Sequence, residues 1–400
     1  MRVVHICTSI DPRIGGPANV LMRLTRVQAG QCGHLVQVIT ADDPEAVRDV
    51  TVSLHAAGVE HVACGPMRGP MAAGRTTRRE IAAHLNAGVD VVHIHGLWQH
   101  APHSAAAAAR AAGVPYIMRP CGMLDPWSLR QGRLKKRLFL ALVARRHLNR
   151  AAALHYTTET ERRLVEPLRL RPPTFVIPNG LDWEEFDPQP IRGAFRAAHG
   201  IGERPLVVFL GRVHPQKGLG LLLPAFAKLQ DPTVLLALVG PAESSYLEHL
   251  RAEAASLGIA ERVVFPGMMA GRARLEALRD ADLFCLPSYL ESFGVSVIEA
   301  LGVGTPVLIS DQVNICNEVV AAGVGEVVPC DVAPLAERMQ ALLSDRARLA
   351  EMAARARPWV EKTFRWDAIT HQVDAMYEQV VADRCGRADR AHNSSARVDG

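Results

Sequence analysis

The chain has 400 residues, 48% of them apolar and 22% charged, with a formal net charge of +4. This composition excludes a disordered or fibrous protein, and the length predicts roughly two or three domains. The eight cysteines form no C-x-x-C pair, so neither a zinc cluster nor a disulfide framework is expected, and reduced thiols in a cytoplasm are favoured.

Short β-branched apolar runs alternate with longer helix-forming segments along the chain. Near-continuous apolar runs separated by helices are typical of parallel strands that are covered on both faces. The sequence therefore predicts an α/β protein with two Rossmann-like, doubly wound parallel-sheet domains. The predicted strands lie within residues 3–10, 36–40, 89–96, 114–120, 153–158, 174–180, 205–212, 233–240, 262–268, 282–288 and 305–311.

The Pro-rich, acidic segment 181–193 predicts the break between the two domains. The first domain then covers residues 1–180 and the second covers 181–365. A final helix over 366–383 is expected to pack back across the first domain, and the small, polar stretch 384–400 is predicted to be a disordered tail. Ligands of such sheets bind beyond the carboxyl ends of the strands, so the residues at those ends are the candidates for a site.

The two halves differ in charge. Residues 1–180 carry 23 Lys and Arg against 12 Asp and Glu, whereas residues 181–400 carry 22 against 29. Net charges of opposite sign in the two halves indicate domains that face different partners. The basic half suits a membrane surface or a phosphorylated substrate. Nucleic acid is not an expected partner, because zinc-finger spacing, an aromatic RNA-binding signature and a long Lys/Arg block are all missing from the sequence.

The turn after the first predicted strand contains two adjacent glycines, Gly15 and Gly16. Glycines let the backbone approach a ligand, and a helix that begins near Pro17 would add its positive dipole end. The spacing is not the G-x-G-x-x-G of a dinucleotide site. A tight turn without a ligand is therefore the alternative interpretation.

Two cations, Arg212 and Lys217, stand five residues apart in a glycine-bounded loop after the strand 205–212. A guanidinium offers a planar fork for phosphate oxygens, and an ammonium offers a compact charge. The pair suits a diphosphate that gains negative charge as its bond to carbon breaks. Two solvated surface cations are the alternative.

Two acids, Glu291 and Glu299, stand eight residues apart near a predicted helix start. Ser292 is predicted as the N-cap with Gly294 inside the first turn, which would turn the amides of Phe293 and Gly294 toward an anion. The two carboxylates could accept hydrogen bonds from sugar hydroxyls. The alternatives are a helix-dipole partner for Glu291 and a solvated position for Glu299, which the surrounding apolar segment VSVIEALGV disfavours.

The basic half contributes its own candidates at strand ends. His93 and His95 alternate with period two and so lie on one side of the predicted strand. His95 is nearer the strand end, although an isolated histidine there is often structural. Trp98, Arg119 and Asp125 are candidates for acceptor binding, and Arg119 and Asp125 could instead pair with one another.

The segment 130–150 contains eight Lys and Arg and neither Asp nor Glu. The apolar run LFLALVA inside this basic frame is typical of a helix on a membrane surface. Anionic lipids attract such a segment by about 1 kcal/mol per basic residue. A cationic helix that faces water is the alternative.

Together these motifs resemble the retaining glycosyltransferases of family 4, which have the GT-B fold of two Rossmann-like domains facing across a cleft. The most specific element is E-x7-E within ESFGVSVIEALGVGTPV, joined by GRVHPQKG, IPNGLD, LVGP and FPGM. The resemblance extends to about residue 380. The segments HIHGLW and RPCGMLDPWSL are similar to family members that build exopolysaccharide or lipopolysaccharide.

The resemblance implies roles for the residues of the second half. Arg212 and Lys217 would hold the donor diphosphate. Glu291, with the amides of Phe293 and Gly294, would hold the transferred sugar.

It also implies roles at the edges of the donor. Glu299 would bind the ribose, and the backbone around Met268 would meet the nucleobase. In the first half, Gly16 would approach the phosphates, and His95 would lie beside the sugar and the acceptor.

The implied reaction is a retaining, metal-free transfer without a cofactor, in which the leaving phosphate helps to take the proton of the acceptor. We expect a hexose to move from a UDP- or GDP-sugar to a glycan or polyprenyl-linked acceptor, by an enzyme on the inner face of the cytoplasmic membrane. Two alternatives remain at this point. One is a nucleotide-sugar 2-epimerase on the same fold, and the other is a non-catalytic sugar-nucleotide-binding scaffold.

Overall fold

The computed structural model describes residues 1–12, 16–65, 75–85 and 88–395, with only the backbone given for 75–78 and 385–395. The chain divides into two compact units. Unit 1 comprises Met1–Gly180 together with the segment that starts at Trp366, and unit 2 comprises Leu181–Arg365. None of the described helices is both long and apolar enough to cross a membrane.

Each unit contains one parallel β-sheet. The sheet of unit 1 has the order β3-β2-β1-β4-β5-β6-β7, and that of unit 2 has the order β10-β9-β8-β11-β12-β13. The strands of unit 1 are β1 (Arg2–Ile6), β2 (Leu35–Thr40), β3 (Val59–Ala63), β4 (Val91–His95), β5 (Tyr116–Arg119), β6 (Ala153–Tyr156) and β7 (Thr174–Val176). Those of unit 2 are β8 (Leu206–Leu210), β9 (Leu235–Val239), β10 (Val263–Gly267), β11 (Leu283–Leu286), β12 (Val307–Ser310) and β13 (Gly325–Val328).

Helices connect the strands. In chain order they are α1 (Gly16–Gly30), α2 (Arg48–Ala56), α3 (Arg75–Leu85), α4 (His100–Ala111), α5 (Pro126–Arg130), α6 (Arg133–Phe139), α7 (Arg145–Leu148), α8 (Glu159–Val165), α9 (Ala194–Ala198), α10 (Leu219–Ala227), α11 (Ser244–Ser256), α12 (Gly271–Asp280), α13 (Val295–Gly302), α14 (Cys316–Ala322), α15 (Val332–Ser344), α16 (Arg346–Phe364) and α17 (Trp366–Ser395). A π-helical segment, Leu140–Ala144, joins α6 to α7. The last helix, α17, packs against α1 and β4 of unit 1.

The central strands are buried along their whole length because helices cover both faces of each sheet. Every residue of β4 and of β8 is buried, which explains the near-continuous apolar runs in the sequence. Each unit has its own hydrophobic core. That of unit 2 is built around Phe209, Phe226 and Phe284.

Both sheets change their winding direction at one position. The neighbours β1 and β4 in unit 1, and β8 and β11 in unit 2, are the pairs from which the strand order grows outward in opposite directions. In doubly wound sheets the loops that follow such a pair open a crevice for ligands. These two switch points therefore define where a site belongs in each unit.

The predicted α/β fold is confirmed, and each predicted apolar run overlaps a strand. Two strands were not predicted, β3 and β13, and both lie at the outer edge of a sheet. Edge strands are covered less completely, so β3 carries Glu60 and His61 and β13 carries Glu326 among few apolar residues. Their short, mixed sequences lack the continuous apolar run that marks a central strand.

The prediction of a disordered tail over 384–400 is wrong for residues 384–395, because α17 continues to Ser395. Residues 396–400 lie outside the described residues. Ala and Arg are frequent in this stretch and favour a helix, so a polar composition alone was a poor indicator of disorder here.

Candidate functional site

Three glycine-containing loops lie side by side beyond the carboxyl ends of β8, β9 and β10. Gly211 N donates to Val239 O (3.0 Å), and Gly240 N donates to Gly267 O (2.8 Å). Gly240 has φ +143°, and a Cβ there would lie 1.8 Å from Gly211 O. Only glycine permits this approach. The motifs LGR, LVGP and FPGM thus form one backbone-bonded layer beside the switch point of unit 2.

The loop after β8 is bound to the loop after β11. It passes through a short 3-10 helix, Pro215–Lys217, and Gln216 O accepts a hydrogen bond from Tyr289 N (2.9 Å). Gly218 follows with φ +72°, and a Cβ there would lie 1.9 Å from Pro287 O. Backbone contacts therefore set the position of Lys217 relative to the loop after β11.

Lys217 and Glu291 meet at this switch point. Lys217 Nζ donates to Glu291 Oε2, and the two side chains are 19% and 17% exposed. The backbone of Glu291 is held on its other side, since Glu291 N donates to Gln312 O (3.1 Å) and Asn314 N donates to Glu291 O (2.9 Å). An ammonium carries three donors, so Lys217 can hold Glu291 and still serve an anion.

The start of the helix after Glu291 differs from the prediction. Helix α13 begins at Val295, and Gly294 is its N-cap residue with φ +86°. Ser292 is therefore not the N-cap, and Gly294 lies outside the first turn. The first amides of a helix have no intrahelical partner, so Val295 and Ser296 present the anion-favouring end instead. The free amides at the helix start therefore belong to Val295 and Ser296, two residues further along the chain than the predicted pair, Phe293 and Gly294. The reason is that Gly294 takes the left-handed conformation before the helix begins.

The side chain of Phe293 is a core residue. It is 2% exposed and meets Phe364 edge-on, with ring centroids 5.9 Å apart. Only its backbone can serve a ligand, as the resemblance implied.

Glu299 has a partner that the sequence did not suggest. Its Oε1 accepts from Arg274 Nε (3.1 Å), and Arg274 Nη2 also donates to Glu185 Oε2 (2.5 Å). Burial alone would lower the pKa of Arg274, but the two carboxylates outweigh it and raise that pKa. One oxygen of Glu299 is thus committed to a guanidinium. No sequence signal pointed to Arg274, because the contact joins α12 to α13 only in the folded unit.

The remaining donor-side candidates are at the surface. Arg212 is exposed, and Met268 is 69% exposed just beyond β10. Gly16 is the first residue of α1, and a Cβ there would meet no described atom within 4 Å. Gly15 lies outside the described residues.

In unit 1 the predicted histidine pair belongs to a larger buried cluster. The rings of His93 and His95 lie on the same side of the sheet with centroids 4.3 Å apart, and His95 is 7% exposed. His95 Nε2 lies 3.0 Å from Nδ1 of His5, which stands in β1 in register with His93. Burial lowers the pKa of His93 and of His95 well below the ordinary value. Reasoning from the sequence missed His5, because an isolated histidine within a strand carries no signal of its own.

The same cluster has the spacing of a cation site. Among the described residues, ligand nitrogens of His5, His93 and His95 lie within 4.8 Å of one another. Both ring nitrogens of His5 and both of His93 are already in hydrogen bonds. An ion would have to break those bonds at a site without a carboxylate, so this cluster does not fit a metal.

Arg119 and Asp125 do not pair with one another. Arg119 is 4% exposed and donates to Asn179 Oδ1 of the IPNG motif. Asp125 is the N-cap of α5 and accepts from Trp127 N (2.7 Å). Both acceptor-side candidates are therefore engaged in holding the loops of unit 1.

Trp98 lies against the basic segment. Lys136 Nζ stands 5.2 Å from the centre of the indole ring, and Phe139 meets that ring edge-on at 6.1 Å. Lys136 also donates to Ser128 O (2.6 Å). Lys136 therefore points into unit 1, unlike the other basic residues of its helix.

Comparison with known proteins places each half in a family. Residues 192–359 match the family Glycosyl transferases group 1, and residues 15–180 match Glycosyl transferase 4-like domain. The chain is 30% identical to the D-inositol 3-phosphate glycosyltransferase of Nocardia farcinica over 390 residues, which cover 88% of this chain and 83% of the relative. It is 32% identical over 201 residues to the GDP-mannose-dependent alpha-(1-6)-phosphatidylinositol monomannoside mannosyltransferase of Mycolicibacterium smegmatis, covering 48% of this chain and 52% of that one.

Solved structures share the fold. Anabaena HepE, crystallised with UDP and glucose, superposes with a TM-score of 0.75 at 21% identity over 95% of this chain and all of that one. WaaG, a glycosyltransferase involved in lipopolysaccharide biosynthesis, superposes with a TM-score of 0.73 at 20% identity over 94% and 99% of the two chains. At these identities the likeness establishes the fold.

Proposed function

The chain belongs to the group 1 glycosyltransferases, and on that premise we propose that it moves a hexosyl group from a UDP- or GDP-sugar to a glycan or lipid-linked acceptor of a cell-surface polysaccharide, with retention at the anomeric carbon. The observation that carries this proposal is the contact of Lys217 with Glu291 at the switch point of unit 2. A cation for a diphosphate and a carboxylate for sugar hydroxyls stand side by side there.

Lys217 would act on the leaving group. The departing β-phosphate gains negative charge as its bond to the anomeric carbon breaks, and a fixed ammonium stabilises that charge most in the transition state. The first amides of α13, those of Val295 and Ser296, add a helix N-terminus beside the same loop. Arg212, which is exposed, would supply a second cation.

Glu291 would act on the transferred sugar. Without a donor, the carboxylate of Glu291 is paired with Lys217. This ion pair neutralises the charge of the half-buried ammonium. With a donor, the phosphate would take over Lys217, and Glu291 would accept hydrogen bonds from sugar hydroxyls. Glu299 would meet the ribose with the oxygen that Arg274 does not hold.

The transfer would proceed on one face of the sugar. The bond from the anomeric carbon to the phosphate oxygen breaks, and a bond from the acceptor oxygen to the same carbon forms on the same side. The acceptor hydroxyl proton passes to the departing phosphate, so the products are a glycoside and a nucleoside diphosphate. The resemblance of the E-x7-E segment to retaining enzymes supports this course.

Thermal unfolding with a panel of UDP- and GDP-sugars tests the donor assignment. A donor at one hundred times its Kd stabilises the folded state by about 2.7 kcal/mol, so the Tm of the protein should rise by several degrees. Free sugars and nucleoside monophosphates are the matched controls and should shift Tm far less, because they lack the diphosphate. The stabilising donor is then incubated with and without a glycan acceptor.

Each result of that incubation has a definite meaning. Release of nucleoside diphosphate only with an acceptor, together with a retained anomeric configuration, supports the proposal. Conversion of the donor alone, with water, to nucleoside diphosphate and a free sugar epimerised at C2 would identify a 2-epimerase. Tight donor binding without turnover on any acceptor would identify a binding scaffold. A panel in which no donor raises Tm would contradict the proposal.

The basic segment supports a second part of the proposal, attachment to an anionic membrane surface at the inner face of the cytoplasmic membrane. Leu134, Leu138 and Leu142 are 83%, 60% and 70% exposed. Their spacing of four places them along one face of the helical segment. Exposed Arg and Lys residues flank this leucine stripe, at Arg133, Lys135, Arg137, Arg145 and Arg146. An apolar stripe framed by cations is the pattern of a helix that lies in a lipid interface.

The triple variant Leu134→Ser, Leu138→Ser, Leu142→Ser should lose flotation with anionic liposomes while it keeps its Tm, because these side chains make little contact within the protein. The matched control changes three scattered exposed apolar residues, Leu35→Ser, Val52→Ser and Ile191→Ser, and should float like the parent. Neutralising Arg133, Lys135 and Arg137 should weaken binding to anionic vesicles specifically. Equal flotation of the leucine-stripe variant and its control would refute the membrane assignment.

A further inference from the structure

Buried polar groups form two hydrogen-bonded series in unit 1, and the second ends at His95. The first series runs from the carbonyl of Ile177, just after β7, through His155 and His93 to Tyr377 of α17. The second runs from Gln28 of α1 through His5 of β1 to His95 of β4.

The carbonyl of Ile177 determines in which direction the hydrogen bonds of the first series run. A carbonyl oxygen can only accept, so His155 Nε2–H donates to Ile177 O (2.9 Å). Burial lowers the pKa of His155 to about 3, so the ring is neutral and its Nδ1 can only accept. The partner of that nitrogen is His93 Nε2 (3.2 Å), which must therefore carry the proton.

The same reasoning continues through His93. Its Nδ1 has no proton, because its Nε2 has one and burial keeps the ring neutral. Tyr377, which is fully buried, lies 2.8 Å away and so donates its hydroxyl proton to His93 Nδ1. The Tyr377 oxygen is then left as an acceptor.

Gln28 determines the direction of the second series. Gln28 Oε1 lies 2.8 Å from His5 Nε2, and an amide oxygen can only accept. Gln28 Nε2 has no hydrogen-bond partner among the described residues, so Gln28 does not link the two series by a hydrogen bond.

The hydrogen bonds of the second series then run in one direction only. His5 Nε2–H donates to Gln28 Oε1, and burial lowers the pKa of His5 to about 4, so its Nδ1 is an acceptor. His95 Nε2, at 3.0 Å, must be the donor to that nitrogen. His95 is neutral as well, so its proton is on Nε2 and its Nδ1 keeps a lone pair.

We propose that this directed series fixes the tautomer of His95, with the proton on Nε2 and an accepting Nδ1 for a hydroxyl of the sugar or the acceptor. The reverse tautomer would present an N–H, which suits a phosphate oxygen instead. Gln28 and His5 are positioning residues that act through His95. The assignment of the tautomer depends only on contacts within unit 1, whereas a role for His95 in sugar transfer rests on the proposed function.

Nitrogen NMR of the full chain with ¹⁵N-labelled histidine tests the tautomer. Ring nitrogens with and without a proton differ widely in chemical shift, and His95→Gln assigns the His95 signals. At neutral pH we expect an unprotonated Nδ1 and a protonated Nε2 for His95. A protonated Nδ1 in the unmodified chain would overturn the proposal.

Variants test whether the series sets that tautomer. Gln28→Met removes the acceptor of His5 Nε2, so the His95 shifts should move toward the average of two tautomers. Thr25→Val is the matched control, since Thr25 is a buried hydroxyl of the same helix that donates to Leu21 O (3.0 Å) and lies outside the series. Unchanged His95 shifts in folded Gln28→Met would overturn the proposal. If that variant does not fold, the spectrum of the unmodified chain decides.

Activity provides a separate readout of the role in transfer. If two tautomers of His95 are equally populated in Gln28→Met, kcat of that variant should fall about twofold or more, with the Kd of the nucleoside diphosphate unchanged. The expected tautomer without any transfer by the unmodified chain would contradict the proposed function and leave the tautomer in place. Full kcat in variants with averaged shifts would show that His95 Nδ1 has no part in the reaction.

Discussion

Lys217→Ala should lower kcat/KM for sugar transfer by about 10²- to 10³-fold, the loss typical of removing one fixed group that stabilises a developing oxyanion. Lys217 is held beside Glu291 by backbone contacts on two loops, so its ammonium is in place before the donor binds. The free energy of unfolding should fall by only about 1–3 kcal/mol, the cost of leaving one charged partner unbonded. Steady-state kinetics and urea unfolding of the same preparation measure the two effects.

Two further variants separate loss of charge from loss of fold. Lys228→Ala removes an exposed lysine of the same unit, at the C-terminal end of α10, and should leave transfer unchanged. Lys217→Ala and Glu291→Gln should be non-additive in a double-mutant cycle, because the two side chains are in contact. Transfer at the parental rate by Lys217→Ala would remove the central residue of the proposed mechanism.

Gly218→Ala should both destabilise unit 2 and abolish most of the transfer. Gly218 has φ +72°, and a Cβ there would lie 1.9 Å from the carbonyl of Pro287. A Cβ is fixed rigidly to its own backbone, and the Pro287 carbonyl is backbone. The loop after β8 must therefore move away from the loop after β11, and Lys217 would separate from Glu291. We expect a loss of about 1–3 kcal/mol in unfolding free energy and at least a 10²-fold loss in kcat/KM.

Gly220→Ala is the matched control two residues further on. Gly220 lies within α10, and a Cβ there would meet no described atom within 4 Å. Alanine favours a helix over glycine by up to about 1 kcal/mol, so this variant should be as stable as the parent or more stable, with full activity. Parental activity in Gly218→Ala would show that the contact between the two loops does not position Lys217.

The candidate site was predictable only in part. Arg212, Lys217, Glu291 and Glu299 stand out in the sequence because charged residues follow apolar strands or interrupt an apolar segment. Their partners do not stand out. Arg274 reaches Glu299 from the neighbouring helix, and nothing in its own segment distinguishes it from any other exposed-looking arginine.

The histidine series of unit 1 shows the same limit more clearly. His5, His155 and Tyr377 are far apart in the chain, and none of them belongs to a recognisable motif. Parallel pairing places His5 beside His93, and the return of the chain in α17 brings Tyr377 to the same ring. Such contacts between distant segments leave no local sequence pattern from which they could be predicted.

The sequence by itself determined the two parallel-sheet units, the strands at their centres and the glycine-bounded loops that carry the charged residues. It could do so because burial of both faces and left-handed turns impose local demands on side-chain type. Only the tertiary structure decided that Lys217 meets Glu291, that Glu299 is shared with Arg274 and that α13 begins at Val295 rather than after Ser292. Pairing and hydrogen-bond direction depend on which distant groups the fold brings within about 3 Å of one another, and the order of residues along a chain does not specify those distances.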